Sequence, residues 1–168
     1  FQEWPFIQDA TVMVQSEVAD RICASPSSKI YGAYTVKLQL FAQVVGRFQV
    51  PARSFFPEPH VESAVVRLQR VPACDVLSAE DAAATVEVVD AAFAQRRKTL
   101  RNSMAACEKW ERAQLDAAFD LMAIDGGCRA ESLTKDQFIG LAESSAPAAA
   151  KKCAKPKKKR AVFDPDMI

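Results

Sequence analysis

Histidine is nearly missing from this chain of 168 residues, where His60 stands alone. A His-centred catalytic dyad or a multi-histidine metal site has no material to be built from, so acid–base and metal-dependent hydrolysis are set aside. Cysteine is present but badly arranged for chemistry. The five cysteines (Cys23, Cys74, Cys107, Cys128 and Cys153) are odd in number and widely spaced, and no two form a C-x-x-C pair. That pattern speaks against a disulfide framework and against zinc, and it fits a reducing cytosol. Glycine is equally sparse: Gly32, Gly46, Gly126, Gly127 and Gly140 contribute to no G-x-G-x-x-G turn and no P-loop. No run approaches the roughly 18 apolar residues of a membrane span, and no secretory h-region opens the sequence. The expectation is a soluble, cytoplasmic chain with no membrane partner.

What is present is a globular composition. Hydrophobic residues at 49% and charged residues at 26% exclude disorder over most of the length. A chain of this size buries roughly 70% of its unfolded surface, enough for a real core. The net charge of +1 hides a segregation. Residues 1–72 carry 7 Lys and Arg against 6 Asp and Glu, residues 73–144 carry 8 against 13, and residues 145–168 carry 7 against 2. A tail at +5 beside a middle at −5 points to a polyanionic partner, with simple solubilisation as the plain alternative.

The sequence opens at Phe1 in mid-element, and we read it as a fragment or processed product. Residues 10–15 form a short β-branched apolar run that predicts a buried strand, and Ser16 is expected to cap a helix through about Ala24. A second helix is predicted from Tyr34 to Val45, with Val36, Leu40 and Val44 at i+4 steps and Gly46 beyond. Arg47–Val50 and Val61–Gln69 read as strands that pair antiparallel at a sheet edge. From Pro72 the chain turns Ala-rich and helical. Ser78 and Asp81 mark one helix start, and Val86, Val89, Phe93, Leu100 and Met104 share a face that breaks near Gln95. Trp110–Ala123 makes another helix, stopped by Gly126-Gly127, and Thr134 with Gln137 caps a last one through Glu143. The predicted fold class is thus α/β over residues 1–72, a small all-α helical part over 73–144, and a disordered Lys-rich tail over 145–168.

Three segments could carry chemistry. Ser54–Ser63 holds two aromatics, Phe55 and Phe56, and two prolines that stiffen a loop before a strand. Such aromatics stack a nucleobase or simply pack into the core. Gln95–Ser103 concentrates Arg96, Arg97, Lys98 and Arg101 within a part that is otherwise acidic. On a helix Arg97 and Arg101 share a face, where phosphates or local acids such as Asp90 and Glu87 would neutralise them. Four neutralised phosphates imply a log–log salt dependence of about −3 in RNA affinity. The third segment, Lys151–Arg160, resembles a nuclear signal as much as a nonspecific RNA-binding arm.

These residues, taken in order, resemble one family. Gln15–Arg21, Tyr31-Gly32, Phe55–Leu68, Ala92–Ser103 and Arg129–Leu133 follow the pattern of the small-subunit ribosomal RNA adenine dimethyltransferases, with Gln95–Asn102 (Gln-Arg-Arg-Lys-Thr-Leu-Arg-Asn) the most specific run. The resemblance implies a class I, S-adenosylmethionine-dependent methyltransferase with a Rossmann-like domain and a helical RNA-contacting domain. Its members dimethylate two adjacent adenines at N6 near the 3′ end of small-subunit rRNA during ribosome biogenesis. By the same resemblance the glycine-rich cofactor loop and the catalytic tetrad lie upstream of Phe1, so neither catalytic nor cofactor-binding residues are expected in this chain. Residues 1–72 would be the back of the catalytic sheet, and the chain alone would bind RNA but not S-adenosylmethionine. Phe55 matches the aromatic near the target adenine, and Arg96, Arg97, Lys98 and Arg101 match the RNA-facing segment. The resemblance further implies a monomer working on the pre-ribosomal small subunit. Ala33 departs from the pattern, standing where relatives carry Arg, and the Lys-rich tail lies outside it. Two rivals remain at this point: an RNA-binding assembly module without enzymatic activity, and a resistance-type methyltransferase of large-subunit rRNA.

Overall fold

In the computed structural model, residue 1, residues 6–71 and residues 77–145 are described. The strand Ser63–Arg70 is the centre of the sheet, and its sequence explains why. Ala64, Val66 and Leu68 alternate with Ser63, Val65, Arg67 and Gln69, the period-two pattern of a strand with one covered face. We label the strands β1 (Asp9–Gln15), β2 (Ala42–Val50) and β3 (Ser63–Arg70). The sheet order is β1-β3-β2, with β3 antiparallel to both neighbours, so β1 and β2 run parallel to each other. The predicted antiparallel pairing of the last two strands is observed.

Helix α1 (Ser16–Ile22) covers one face of the sheet, where Ala19 and Ile22 join Ala42, Ala64, Val66 and Leu68 in a buried cluster. The apolar run predicts burial of β1 on both faces, but the strand alternates between half-buried and exposed, because α1 packs on one side only. Ser16 does not cap α1. Gln15 holds the N-cap position, while the Ser16 N–H donates to Glu62 O at 2.9 Å and its hydroxyl accepts from Gln49 Nε2 at 2.9 Å.

The second predicted helix is also corrected. α2 runs only from Ala33 to Gln39, and the chain is already in β2 at Ala42. Ala42 and Val44 suit a two-residue alternation as well as Leu40 and Val44 suit a helix, and pairing with β3 decides between the two. Gly46 sits not at a helix end but at a register irregularity between Val44 and Gly46, where a Cβ would still stand 3.8 Å from Arg67 Cβ. Beyond it Arg47 returns to the α1 side and meets Asp20 at 2.7 Å.

The remaining helices are α3 (Ala79–Phe93), α4 (Leu100–Ala105), α5 (Arg112–Leu121) and α6 (Lys135–Ser145). α3 starts with the predicted capping box, Ser78 Oγ accepting from Asp81 N at 3.0 Å while the Asp81 carboxylate accepts from Ser78 N at 3.2 Å. α6 starts the same way, with Gln137 Oε1 accepting from Thr134 N at 2.9 Å. Phe119, Phe138, Leu100, Met104, Leu115, Leu133 and Leu141 are fully buried among these helices. Each such side chain contributes roughly 1.5–3 kcal/mol by leaving water. The helical core also takes in Ala24, Tyr31 and Val36 from the first 72 residues. Among the described residues no helix is long and apolar enough to cross a membrane. The expected basic tail from residue 146 onward lies outside the described residues.

Candidate nucleic-acid interface

The Arg/Lys cluster lies where the helical part breaks. α3 ends at Phe93, turns occupy residues 94–97, and α4 begins at Leu100. A continuous basic helix with Arg97 and Arg101 on one face is therefore not formed: Arg96, Arg97 and Lys98 lie between the helices, and Arg101 alone is helical. The cause is a buried hydroxyl. In an unbroken helix the Gln95 N–H would donate to the Ala91 carbonyl four residues back. Here Ser103 Oγ stands between them, accepting from Gln95 N at 3.1 Å and donating to Ala91 O at 2.8 Å. A side chain inserted into the helical ladder is a known cause of a break. Lys98 N then donates to Gln95 O at 2.9 Å, and Thr99 Oγ1 accepts from Asn102 N at 3.4 Å to start α4. Sequence reasoning locates the break but misses its agent, because Ser103 acts on residues eight and twelve positions away.

The four cations are not equivalent. Arg101 Nε lies 2.8 Å from Asp116 Oδ1 on α5, and its backbone N–H donates to Gly126 O at 3.1 Å. The two side-chain atoms are out of solvent and aligned as an ion pair rather than as a directed hydrogen bond. Arg101 is thus held by the fold. Arg96 Nη2 donates to Lys29 O at 3.3 Å. The side chains of Arg97 and Lys98 are exposed and have no hydrogen-bond or ion-pair partner among the described residues. The acids that could have neutralised them are taken elsewhere, Asp90 by Lys37 at 2.5 Å and Glu87 by Lys109 at 3.0 Å.

Phe55 ends the short 3-10 turn Ala52–Ser54, with its N–H donating to Ala52 O at 3.1 Å. It is half-buried, whereas Phe56 is fully exposed. Gln15 and Val50 both lie opposite Ser63, so the loop carrying these aromatics sits at the carboxyl ends of the parallel pair β1 and β2. Open α/β sheets bind their ligands at that end. No hydrogen bond, ion pair or ring contact joins Phe55 to the basic segment among the described residues.

A further group of residues is brought together only by the fold. Arg21, Lys29, Tyr31, Tyr34, Phe93 and Arg96 line a cleft of about 340 Å³. Tyr31 is buried at its floor, donates its hydroxyl to Leu133 O at 2.9 Å and meets the Phe93 ring at 6.4 Å between centroids. Burial pushes the Tyr31 phenol up to about 12. Neither Lys29 nor Tyr34 stands out in the sequence, since the cleft joins segments some 60 residues apart.

The described residues offer S-adenosylmethionine no glycine turn after a strand: Gly32 precedes α2, Gly46 lies within β2, Gly126 and Gly127 lie in the turn after α5, and Gly140 lies in α6.

A family model described as ribosomal RNA adenine dimethylase matches residues 1–146. The chain belongs to the ribosomal RNA adenine dimethylase family. It is 45% identical over 139 residues to ribosomal RNA small subunit methyltransferase A of Magnetococcus marinus, covering 83% of this chain and 48% of that protein. The protein of the same name from Acinetobacter baylyi is 41% identical over 141 residues, covering 84% and 49%. The chain thus spans about half the length of the curated relatives it matches. Among solved structures, a dimethyladenosine transferase from Plasmodium falciparum superposes with a TM-score of 0.62 at 20% identity, covering 82% of this chain and 57% of that one. The 23S rRNA methyltransferase ErmE gives a TM-score of 0.60 at 24% identity, covering 87% and 58%. Both structures share the α/β fold of this member of the ribosomal RNA adenine dimethylase family.

Proposed function

We propose that this chain is the RNA-gripping rear portion of an enzyme that dimethylates two adjacent adenines at N6 near the 3′ end of small-subunit rRNA. The observation that carries the reading is the pair Arg97 and Lys98, exposed and without a partner among the described residues, within a family of rRNA methyltransferases. Guanidinium and ammonium groups left without acids are complementary to a phosphate backbone. The names borne by the relatives favour small-subunit over large-subunit rRNA.

The sheet supports the rear-portion reading. Met13, Val65 and Phe48 stand side by side across the face opposite α1, and Met13 and Phe48 are 56% and 61% exposed. Large apolar side chains in a row on an open face ask for a cover. The outer edge of β1 is likewise unpaired among the described residues. A preceding segment would complete the sheet and hold S-adenosylmethionine, the methyl donor. The division of labour at Pro72, with the sheet before it and the helical RNA-contacting part after it, belongs to the same proposal.

This chain's own part in the reaction is positioning. The adenine N6 lone pair is delocalised into the ring, so catalysis depends on holding the amino group more than on removing a proton. A target base must also leave its stack, and Phe55 offers it an aromatic face at the carboxyl ends of the strands. The test has two arms. Mapping dimethyladenine in small-subunit rRNA from cells with and without the gene should show loss of the modified pair, and its persistence would reject the activity. Calorimetry of this chain with S-adenosylmethionine should give no binding, and tight binding would reject the rear-portion reading.

A further inference from the structure

We infer that the cleft between the Lys29–Thr35 segment and Arg96 is a subsite for one unpaired nucleotide of the RNA, with Tyr34 as its stacking platform. The inference rests on the RNA reading above and names a contact that neither Phe55 nor the Arg97–Lys98 pair provides.

Three observations converge there. The first is charge. Lys29, Arg21 and Arg96 line the cleft, and no carboxylate does. Arg21 is committed to Glu17, one turn back on α1, which leaves Lys29 and Arg96 as the cations available to a phosphate. The second is an aromatic without a burial role. Tyr34 is 55% exposed although its neighbours in α2, Thr35 and Val36, are fully buried. Ile30, which also lines the cleft, is 46% exposed, so apolar and cationic side chains share the lining. The third is rigidity and room. Tyr31 is fixed by Leu133 and Phe93, and Arg96 is tied to the Lys29 carbonyl, so these two lining residues are held before binding. Gly32 and Ala33 line the cleft with little bulk, and a Cβ at Gly32 would meet nothing within 4 Å. At about 340 Å³ the cleft has the size of a small-ligand site rather than of a duplex groove.

An aromatic face flanked by cations is how single-stranded nucleic acid is held: the base stacks and the phosphate pairs. A duplex has no free base face to offer. The subsite therefore favours a loop, bulge or strand end.

The test measures binding of the full chain to a single-stranded 12-mer RNA and to a blunt 12-bp RNA duplex by fluorescence anisotropy across a salt series. Tyr34→Ala should weaken the single strand about tenfold with an unchanged salt slope, leave the duplex as it was, and be rescued by Tyr34→Phe. Lys29→Ala should weaken the single strand and reduce its salt slope by about 1. Tyr34→Ala binding the single strand like the wild type, while the Arg97→Ala/Lys98→Ala variant is weakened, would overturn the subsite and leave the RNA reading standing. A wild-type chain that binds neither RNA would overturn both. Tyr34 is exposed, so its replacement leaves the fold intact, and unchanged circular dichroism verifies this.

Discussion

Ser103→Ala removes the hydroxyl that bridges Gln95 N and Ala91 O where α3 ends. The hydroxyl makes two hydrogen bonds from a fully buried position, to Gln95 N at 3.1 Å and to Ala91 O at 2.8 Å. A net hydrogen bond contributes roughly 1 kcal/mol, and a buried group left unmatched costs roughly 1–3 kcal/mol. If the turn keeps its shape, the substitution leaves the Gln95 N–H unmatched, while Ala91 O still accepts from Ala94 N at 3.4 Å, and about 2 kcal/mol of stability should be lost. For a chain of this size that corresponds to a drop of roughly 4–8 °C in Tm. The assay is urea unfolding followed by far-UV circular dichroism, with backbone chemical shifts recorded for residues 94–98. A second outcome also supports the role assigned to Ser103: Gln95 N bonds Ala91 O directly, residues 94–98 acquire helical shifts, and the loss in stability is small. The result that refutes the reasoning is a loss below about 0.5 kcal/mol with the turn unaltered.

Tyr31→Phe should cost about 1 kcal/mol at neutral pH by deleting the hydrogen bond to Leu133 O. Because burial raises the phenol to about 12, the folded chain holds this proton more tightly than the unfolded chain does. That stabilisation is complete below pH about 10 and is lost as the pH rises through 12, a loss that Tyr31→Phe should not display in pH-dependent unfolding. Gly126→Ala should destabilise by about 1–3 kcal/mol in the same assay, since its Cβ would lie 3.0 Å from the buried Phe119 ring and 3.2 Å from the Arg101 side chain. Gly140→Ala should be near neutral, because the only obstacle is the flexible end of Met122 and Ala is the better helix former by roughly 1 kcal/mol.

What can be read from the sequence is what neighbouring residues decide among themselves. The caps at Ser78–Asp81 and Thr134–Gln137 depend on residues three apart, and the structure contains both. The alternation in β3 and the Leu115–Phe119 stripe of α5 are equally local. What cannot be read depends on distant partners. The spacing of Val44 from Leu40 fits a helix, yet Leu68, 24 residues on, pairs with Val44 in the sheet. The Arg/Lys run at 96–101 is visible in the sequence, but its division is not. Asp116 holds Arg101, while Lys37 and Lys109 occupy Asp90 and Glu87, and Arg97 and Lys98 have no partner among the described residues. The cleft at Tyr34 is hidden for the same reason, since Lys29 and Arg96 meet only after folding.

The most direct test measures the affinity of this chain for a labelled RNA hairpin from the 3′ end of small-subunit rRNA, over salt from about 50 to about 300 mM, before and after replacing Arg96, Arg97 and Lys98 with Ala. With Arg101 held by Asp116, three cations rather than four remain to neutralise phosphates, and the substitution should lower affinity and flatten the log–log slope by about 2. Equal affinity with an equal slope would mean that these side chains face solvent only, and that the chain grips RNA elsewhere or not at all.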